Sequence, residues 1–289
     1  AKRYRIHRPP LYSLLYKPLR YFRYLQSIGN KKRRINRFEE FILKYIQPYC
    51  KGTDEQYDAI LYGSDQIWRK QKELGNFNDI YFASHELKAG KYIAFSASTD
   101  KIPSNEDFNH FQELLSNFTA ISVREKQLLD LCCKLGFTTD QIVDPTFLLT
   151  GEEWVKYLNI QQTIEPPYAL YYIMKQGVFE IAMVREFVKE RGLRLKVLHG
   201  YNIDKDDEEN ISIADPRDMV SLIYNAQFVI TTSFHGLAFA INLHKEFVVS
   251  TDFGMERIKS LLDLLGLQER FIDGKQTIED FNRIDYDMV

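Results

Sequence analysis

Apolar and polar positions along this chain switch repeatedly between a helical and a strand period. Between Arg34 and Tyr49, residues Phe38, Phe41, Ile42 and Tyr45 recur on one face of a helix. From Tyr57 the pattern becomes short apolar runs closed by small or polar residues. Tyr57–Tyr62 ends at Gly63-Ser64-Asp65, Lys91–Ser98 ends in serines, and Ala120–Val123 ends at Arg124. Helical spacing returns over Asp107–Phe118, and again after Val123 up to Gly136, a natural helix-stop residue. QIVDPTFLL reads as a strand leading into Asp144-Pro145. The stretch Gly151–Pro167, with GEEW and EPP, breaks the rhythm and reads as the crossing between two domains. Alternation then resumes: strand YALYYIM, helix Phe179–Arg191 with Gly192 as its stop, strand Arg194–Gly200, and the polar loop YNIDKDDEEN. A helix follows from Asp215-Pro216 to about Asn225, with Asp as N-cap and Pro at N1. The apolar run Phe228-Val229-Ile230, a helix, the strand EFVVS and the helix ERIKSLLDLLG complete the pattern.

This alternation predicts two doubly wound, Rossmann-like α/β domains with parallel sheets, residues 1–155 and 156–289. The length suits two domains. The chain has 289 residues, 45% hydrophobic and 27% charged, a globular balance, and no apolar run long enough to span a membrane. The basic amino terminus is followed by neither an apolar signal core nor a small-residue cleavage site. Three cysteines, two of them adjacent, suit a reducing compartment. These features predict a cytoplasmic protein. No Cys/His spacing fits zinc, and no dinucleotide fingerprint, Walker loop or nucleophile elbow is present.

The net charge of −2 conceals an asymmetry. Ala1–Arg37 carries 12 of the 38 Lys and Arg residues and no acid; the remaining 26 face all 40 acids, a balance of −14. The same arm is rich in Tyr and Leu. Such a segment suits an anionic membrane surface or a nucleic-acid backbone; it equally suits a solvated helical edge whose cations pair with the acidic remainder. The acidic remainder and the absence of a nucleic-acid motif argue against nucleic acid.

In an open parallel sheet, ligands bind beyond the carboxyl ends of the strands. The polar residues at such positions are Ser64, Asp65, Ser96, Ser98, Arg124, Asp144, His199, and the set Thr232, Ser233 and His235. Arg124 offers a planar fork for carboxylate or phosphate. Ser233 and His235 sit at a strand-to-helix turn, where backbone N–H groups favour an anion. Gly236 would allow close approach to the backbone, and Arg257 follows the next strand. Together these predict an anion site in the second domain, faced by Arg124 from the first. Each residue has a structural reading as well: His235 as a turn hydrogen-bonder, Arg124 as a surface ion pair, Asp65 and Asp144 as turn formers, His199 as turn or loop material.

DAILYGSDQIW, YIAFSAS, ISVREKQLLDLCCKLGF, QIVDPTFLL and NAQFVITTSFHGLAFAINLHKEFV, in this order between about Tyr57 and Arg270, resemble the polysaccharide pyruvyl transferase family. The resemblance implies two domains related to the B-type glycosyltransferase fold, the first on the acceptor side and the second on the donor side. It implies transfer of a pyruvyl (carboxyethylidene) group from phosphoenolpyruvate to a sugar hydroxyl pair of a bacterial surface polysaccharide or its lipid-linked precursor. Phosphate is released, the product is commonly a cyclic ketal, and no metal or further cofactor is expected. His235 matches the family histidine and becomes the catalytic acid; Arg124 matches the arginine of S-V-R-[DE] and becomes a donor-binding residue. Ser64, Asp65, Ser96, Thr232, Ser233, Gly236 and Arg257 are further substrate-binding candidates from their strand-end and helix-start positions, not from the family motif. A nucleotide-sugar glycosyltransferase of the same fold and a non-catalytic glycan-binding relative are the alternatives.

Three departures accompany the resemblance. Ser233 stands where many relatives carry arginine, with Arg257 or Lys245 as replacement cations. Relatives begin with a strand that would precede Ala1, and they extend beyond Val289. The chain therefore reads as a trimmed piece whose first sheet lacks a strand and has an open edge. The family setting also gives the arm Ala1–Arg37 a use. It would hold the enzyme at the inner face of the cytoplasmic membrane, at ~1 kcal/mol per engaged basic residue.

Overall fold

The computed structural model describes residues 18–51, 55–71, 75–83, 87–174, 178–200, 209–252, 254–272, 278 and 283–289, with backbone alone for 18–27. The part of the basic arm that precedes Pro18 lies outside the described residues.

The elements in chain order are α1 (Pro18–Tyr45), β1 (Gln56–Tyr62), β2 (Lys88–Ala97), α2 (Phe108–Leu115), β3 (Ala120–Val123), α3 (Lys126–Lys134) and β4 (Thr139–Gln141). They continue with α4 (Gly151–Tyr157), β5 (Tyr168–Ile173), α5 (Ile181–Glu190), β6 (Arg194–His199), β7 (Asn210–Ile211) and α6 (Pro216–Asn225). The last are β8 (Phe228–Thr231), α7 (Phe234–Asn242), β9 (Glu246–Val249) and α8 (Met255–Leu265). All strand pairings between named elements are parallel, so the predicted α/β class and its two Rossmann-like sheets are observed.

The chain gathers into two compact units. One takes its described residues from 1–49, 151–249 and 274–282, the other from 50–150, 250–273 and 283–289. Each is therefore assembled from separated segments: α1 belongs with the second half of the sequence and α8 with the first. The single division expected at residue 155 does not register this exchange.

The five-stranded unit has strand order β7-β6-β5-β8-β9. The chain starts in the middle at β5, moves outward to β7, then returns to the other side of β5 with β8. The strand order reverses between β5 and β8, which is the switch point where α/β sheets open a crevice at their carboxyl ends. Tyr172 of β5 lies opposite Thr231 of β8 there. Helix α7 is buried along most of its length, from Phe234 to Ile241 except at His235, because it runs beneath the sheet. Helix α1 docks on this unit through Arg37, whose Nη2 lies 3.1 Å from Asp215 and 2.5 Å from Asp218. Those two acids form the capping box of α6, as the Asp215-Pro216 signal predicts for the cap itself.

The four-stranded unit has order β1-β2-β3-β4, with β1 at an edge. Its core is aromatic. Trp68 is fully buried, stacks on Phe82 at 5.6 Å, meets Phe111 edge-on at 5.7 Å, and donates from Nε1 to the Tyr81 carbonyl at 3.3 Å. Cys132 lies in this core, and burial pushes its thiol up to about 12.

Three elements differ from their expected form. Gly151–Pro167 is no plain crossing: Gly151–Tyr157 is helical because Trp154 packs edge-on against Phe239 at 5.4 Å. A side chain at position 151 would run into the Asn242 carbonyl, so glycine permits that approach. QIVDPTFLL is a strand only up to Gln141; Asp144 then caps a short 3-10 helix, Pro145–Leu148, by accepting from the Thr146 amide at 2.9 Å. Helix α1 begins at Pro18, well before Arg34.

Trp68→Ala should destabilise the four-stranded unit by about 3–5 kcal/mol, because the cavity left between Phe82 and Phe111 cannot collapse fully. Chemical denaturation followed by circular dichroism measures the loss.

Candidate active site

The motif TTSFHG lies at the carboxyl end of β8, on the switch point of the five-stranded sheet. Three hydroxyl groups in a row organise the turn. Thr231 Oγ1 donates to the Tyr172 carbonyl at 3.3 Å and accepts from the Ser233 amide at 3.0 Å. Thr232 Oγ1 accepts from the Met174 amide at 2.8 Å. Ser233 is the N-cap of α7, and its Oγ accepts from the Gly236 amide at 3.2 Å. Thr232, Ser233 and Gly236 are buried, with hydrogen bonds within the turn and to the end of β5. A Cβ at Gly236 would lie 2.7 Å from the Tyr172 ring and closer still to Thr231 Oγ1, so the glycine serves close packing. His235 projects from the first turn of α7, half-buried, with its ring edge-on to Phe234 at 5.5 Å.

His235 lines an open cavity of about 310 Å3, within the lower range for small-molecule sites. Tyr172, Leu198, Met219 and Phe239 supply apolar walls. The polar lining comes from Arg34, His199 and Asp215. Arg34 reaches from α1 to donate to the carbonyls of His199 at 3.3 Å and Gly200 at 2.5 Å. His199 Nε2 is 3.2 Å from Asn210 Oδ1. Of these lining residues, sequence reasoning had treated His199 as turn or loop material and Asp215 as a cap. Arg34 was seen only as one of many arm cations, since 165 residues separate it from its carbonyl partner His199.

Ser64, Asp65, Arg124 and Arg257 come together in the other unit, at the carboxyl ends of its strands. Arg124 has 3% of its side chain exposed, and its Nη1 lies 2.7 Å from Asp144 Oδ2, itself 3% exposed. Its Nη2 donates to Ser64 Oγ at 3.1 Å and lies 3.5 Å from Asp65 Oδ1. Arg257 Nη1 binds the same Asp65 oxygen at 2.8 Å. The guanidinium of Arg124 is thus held by internal partners, with Asp144 as its counter-ion. Ser96 is fully buried, has φ 52°, and donates from Oγ to the Val143 carbonyl at 2.9 Å. It lies within the register shift of β2 between Ala94 and Ala97. Lys245 precedes β9 and therefore lies at the opposite edge of its sheet from His235; its Nζ sits over the Tyr224 ring at 5.4 Å. Topology thus corrects the expectation that Lys245 could replace the cation missing at Ser233. Among the described residues, no group of three or more His, Cys, Asp or Glu side chains could hold a metal ion.

Glu125, next to Arg124, is 2% exposed. Sequence reasoning passed over it, although the same strand-end rule selects it. Burial pushes its carboxyl up to about 7, against the pull of Arg124 and Arg257. The folded value exceeds the unfolded one, so the folded state holds this proton more tightly. The stability it contributes is fully present below about pH 4.5 and is lost as pH rises through about 7. Glu125→Gln should therefore melt higher than the wild type at pH 8, by a stabilisation on the order of 1–3 kcal/mol, and the gap should close by about pH 4.5. Thermal melts across this pH range check both the sign and the window.

Comparison with solved structures found a protein described as a UDP-N-acetylglucosamine 2-epimerase from Listeria monocytogenes, 14% identical, TM-score 0.39, covering 83% of this chain and 70% of that one. A GsuK mutant is also 14% identical, with TM-score 0.25, covering 89% of this chain and 78% of that one. No curated protein matched. A family model described as polysaccharide pyruvyl transferase matches residues 4–251, which include both strand-end clusters except Arg257. The chain belongs to the polysaccharide pyruvyl transferase family.

Proposed function

We propose that this protein transfers a pyruvyl group from phosphoenolpyruvate to a pair of hydroxyls on a bacterial surface polysaccharide or its lipid-linked precursor. The family match over residues 4–251 carries this reading. Supporting it, His235 stands at the switch point of a five-stranded parallel sheet and lines a cavity with one arginine and a second histidine.

Protonated His235 is the acid. It gives its proton to C3 of phosphoenolpyruvate, which makes C2 electrophilic. A sugar hydroxyl attacks C2 and loses its proton. A second hydroxyl then bonds to C2 as the C2–O bond to the phosphoryl group breaks; phosphate departs with that oxygen and takes up the second hydroxyl's proton, and the ketal closes without change of oxidation state. General acid catalysis of this kind is worth roughly 10²–10⁴ in rate. Tyr172, Leu198 and Phe239 give one side of the cavity an apolar wall against which the electrophilic carbon would sit.

Purified protein should release phosphate from phosphoenolpyruvate only when a bacterial oligosaccharide acceptor is present, and His235→Ala should lower turnover by about 100-fold or more. Undiminished turnover in that variant would remove His235 from its role. Turnover of a nucleotide sugar, with none of phosphoenolpyruvate, would replace the donor.

The basic arm is the membrane contact in this reading. Among the described residues no helix is long and apolar enough to cross a bilayer, so contact would be peripheral. Arg34 and Arg37 have partners in the fold, so the membrane test is placed on cations near the start of the arm. Lys2→Gln, Arg3→Gln, Arg5→Gln and Arg8→Gln combined should reduce co-sedimentation with anionic liposomes while leaving Arg34 and Arg37 in place. Unchanged sedimentation in that variant argues against the contact.

A further inference from the structure

Arg34 and Arg37 lie one turn apart on α1 and have opposite electrostatic surroundings. Arg37 meets two carboxylates, Asp215 and Asp218. Asp215 also lines the His235 cavity, but its Oδ1 accepts from the Asp218 amide at 2.9 Å and its Oδ2 is 3.1 Å from Arg37. Its charge is therefore balanced outside the cavity. Arg34 is half-buried and bound to two carbonyls, with its guanidinium carbon 5.7 Å from the Phe38 ring centroid. Among the described residues no carboxylate pairs with it. Carbonyls orient a guanidinium without neutralising it, and a guanidinium has five N–H donors, more than two carbonyls use. The cavity wall next to it is largely apolar. A partly desolvated cation in such a place favours an incoming anion. Arg124 and Arg257 in the other unit differ, because Asp144 and Asp65 already occupy them.

We infer that Arg34 is the donor-binding cation of the His235 cavity, engaging the carboxylate or phosphate of a small phosphorylated acid from outside the sheet that carries His235. The identity of that acid as phosphoenolpyruvate rests on the reading above. Fixed by the carbonyls at the end of β6, the guanidinium faces a site whose acid comes from the turn after β8. The amino-terminal helix is then part of the binding machinery, and its docking through Arg37 holds Arg34 in place.

Phosphoenolpyruvate and inorganic phosphate, titrated separately into the full chain by calorimetry, test this. Arg34→Gln should weaken phosphoenolpyruvate binding about tenfold or more, and Arg34→Lys, which keeps the charge and loses the fork, should fall between. In turnover, Arg34→Gln should raise KM for phosphoenolpyruvate more than it lowers kcat and leave KM for the acceptor unchanged. A merely structural role would move acceptor KM and unliganded melting temperature as well. If Arg34→Gln fails to fold, Arg34→Lys decides by the same ratio. Wild-type affinity in a folded Arg34 variant overturns the inference and leaves pyruvyl transfer standing. Arg34-dependent binding of inorganic phosphate, with no binding of phosphoenolpyruvate to the wild type, upholds the anion site and overturns the donor.

Discussion

The His235 cavity depends on the absence of space between β5 and β8 at their carboxyl ends. A Cβ at Gly236 would crowd the Tyr172 ring and Thr231 Oγ1. Because position 236 is glycine, the first turn of α7 seats directly against the strand end. Ser233 then reaches the Gly236 amide, and Thr231 and Thr232 tie the turn to β5. The hydroxyl groups of TTS are spent on backbone geometry. Their effect on chemistry is indirect: they fix where His235 points by fixing the start of its helix. The residues one step to either side on α7, Phe234 and Gly236, are buried, whereas His235 lines the cavity.

The two units handle charge at their strand ends in different ways. In the four-stranded unit, Arg124 and Asp144 are almost wholly buried and matched, with Arg257 and Asp65 extending the pairing outward. Such a pair gains little over apolar packing, yet removing one partner costs about 3–5 kcal/mol. Glu125 has no equal share of this pairing, which is why burial dominates its carboxyl. The five-stranded unit places its balanced acids on α6 and leaves a guanidinium at the cavity held by carbonyls alone among the described residues. One arrangement is an internal scaffold; the other keeps a charge available.

Local signals were legible wherever local physics decides. Ala120–Val123 is a strand within its expected bounds, and Asp215-Pro216 caps a helix that ends at Asn225. The strand-end rule pointed to His235, which does line a cavity at the switch point, because the hydroxyl run, the histidine and the glycine are contiguous. It also selected Ser96, which is fully buried with its hydroxyl donating to the Val143 carbonyl, since strand-end position does not distinguish a residue beneath the rim from one above it. Helix α4 was missed because its reason for folding, Trp154 against Phe239, is a contact between distant positions. The exchange of α1 and α8 between the halves left no periodicity to read, for amphipathic spacing says that a face is buried and not against which sheet. Arg124 illustrates the same limit: its strand-end place could be read from the sequence, but its burial against Asp144 arises from tertiary packing.

Ser233 then ceases to be only a missing arginine. As N-cap of α7 it supplies the oxygen that Gly236 needs, and an arginine there could not make that short-range bond. Position 233 is also 5% exposed, so a long cation would have to leave the turn to reach the cavity. A chain with serine here gains a tightly closed turn and must find positive charge for an anionic donor elsewhere. The basic arm is the segment with charge in excess, and its helix already crosses the carbonyls of His199 and Gly200. Composition left the arm's charge open between an anionic surface and pairing with the acidic remainder, and two of its cations now have distinct partners in the fold. Arg37 pairs with Asp215 and Asp218, while Arg34, one turn earlier, is bound by the two carbonyls beside the cavity.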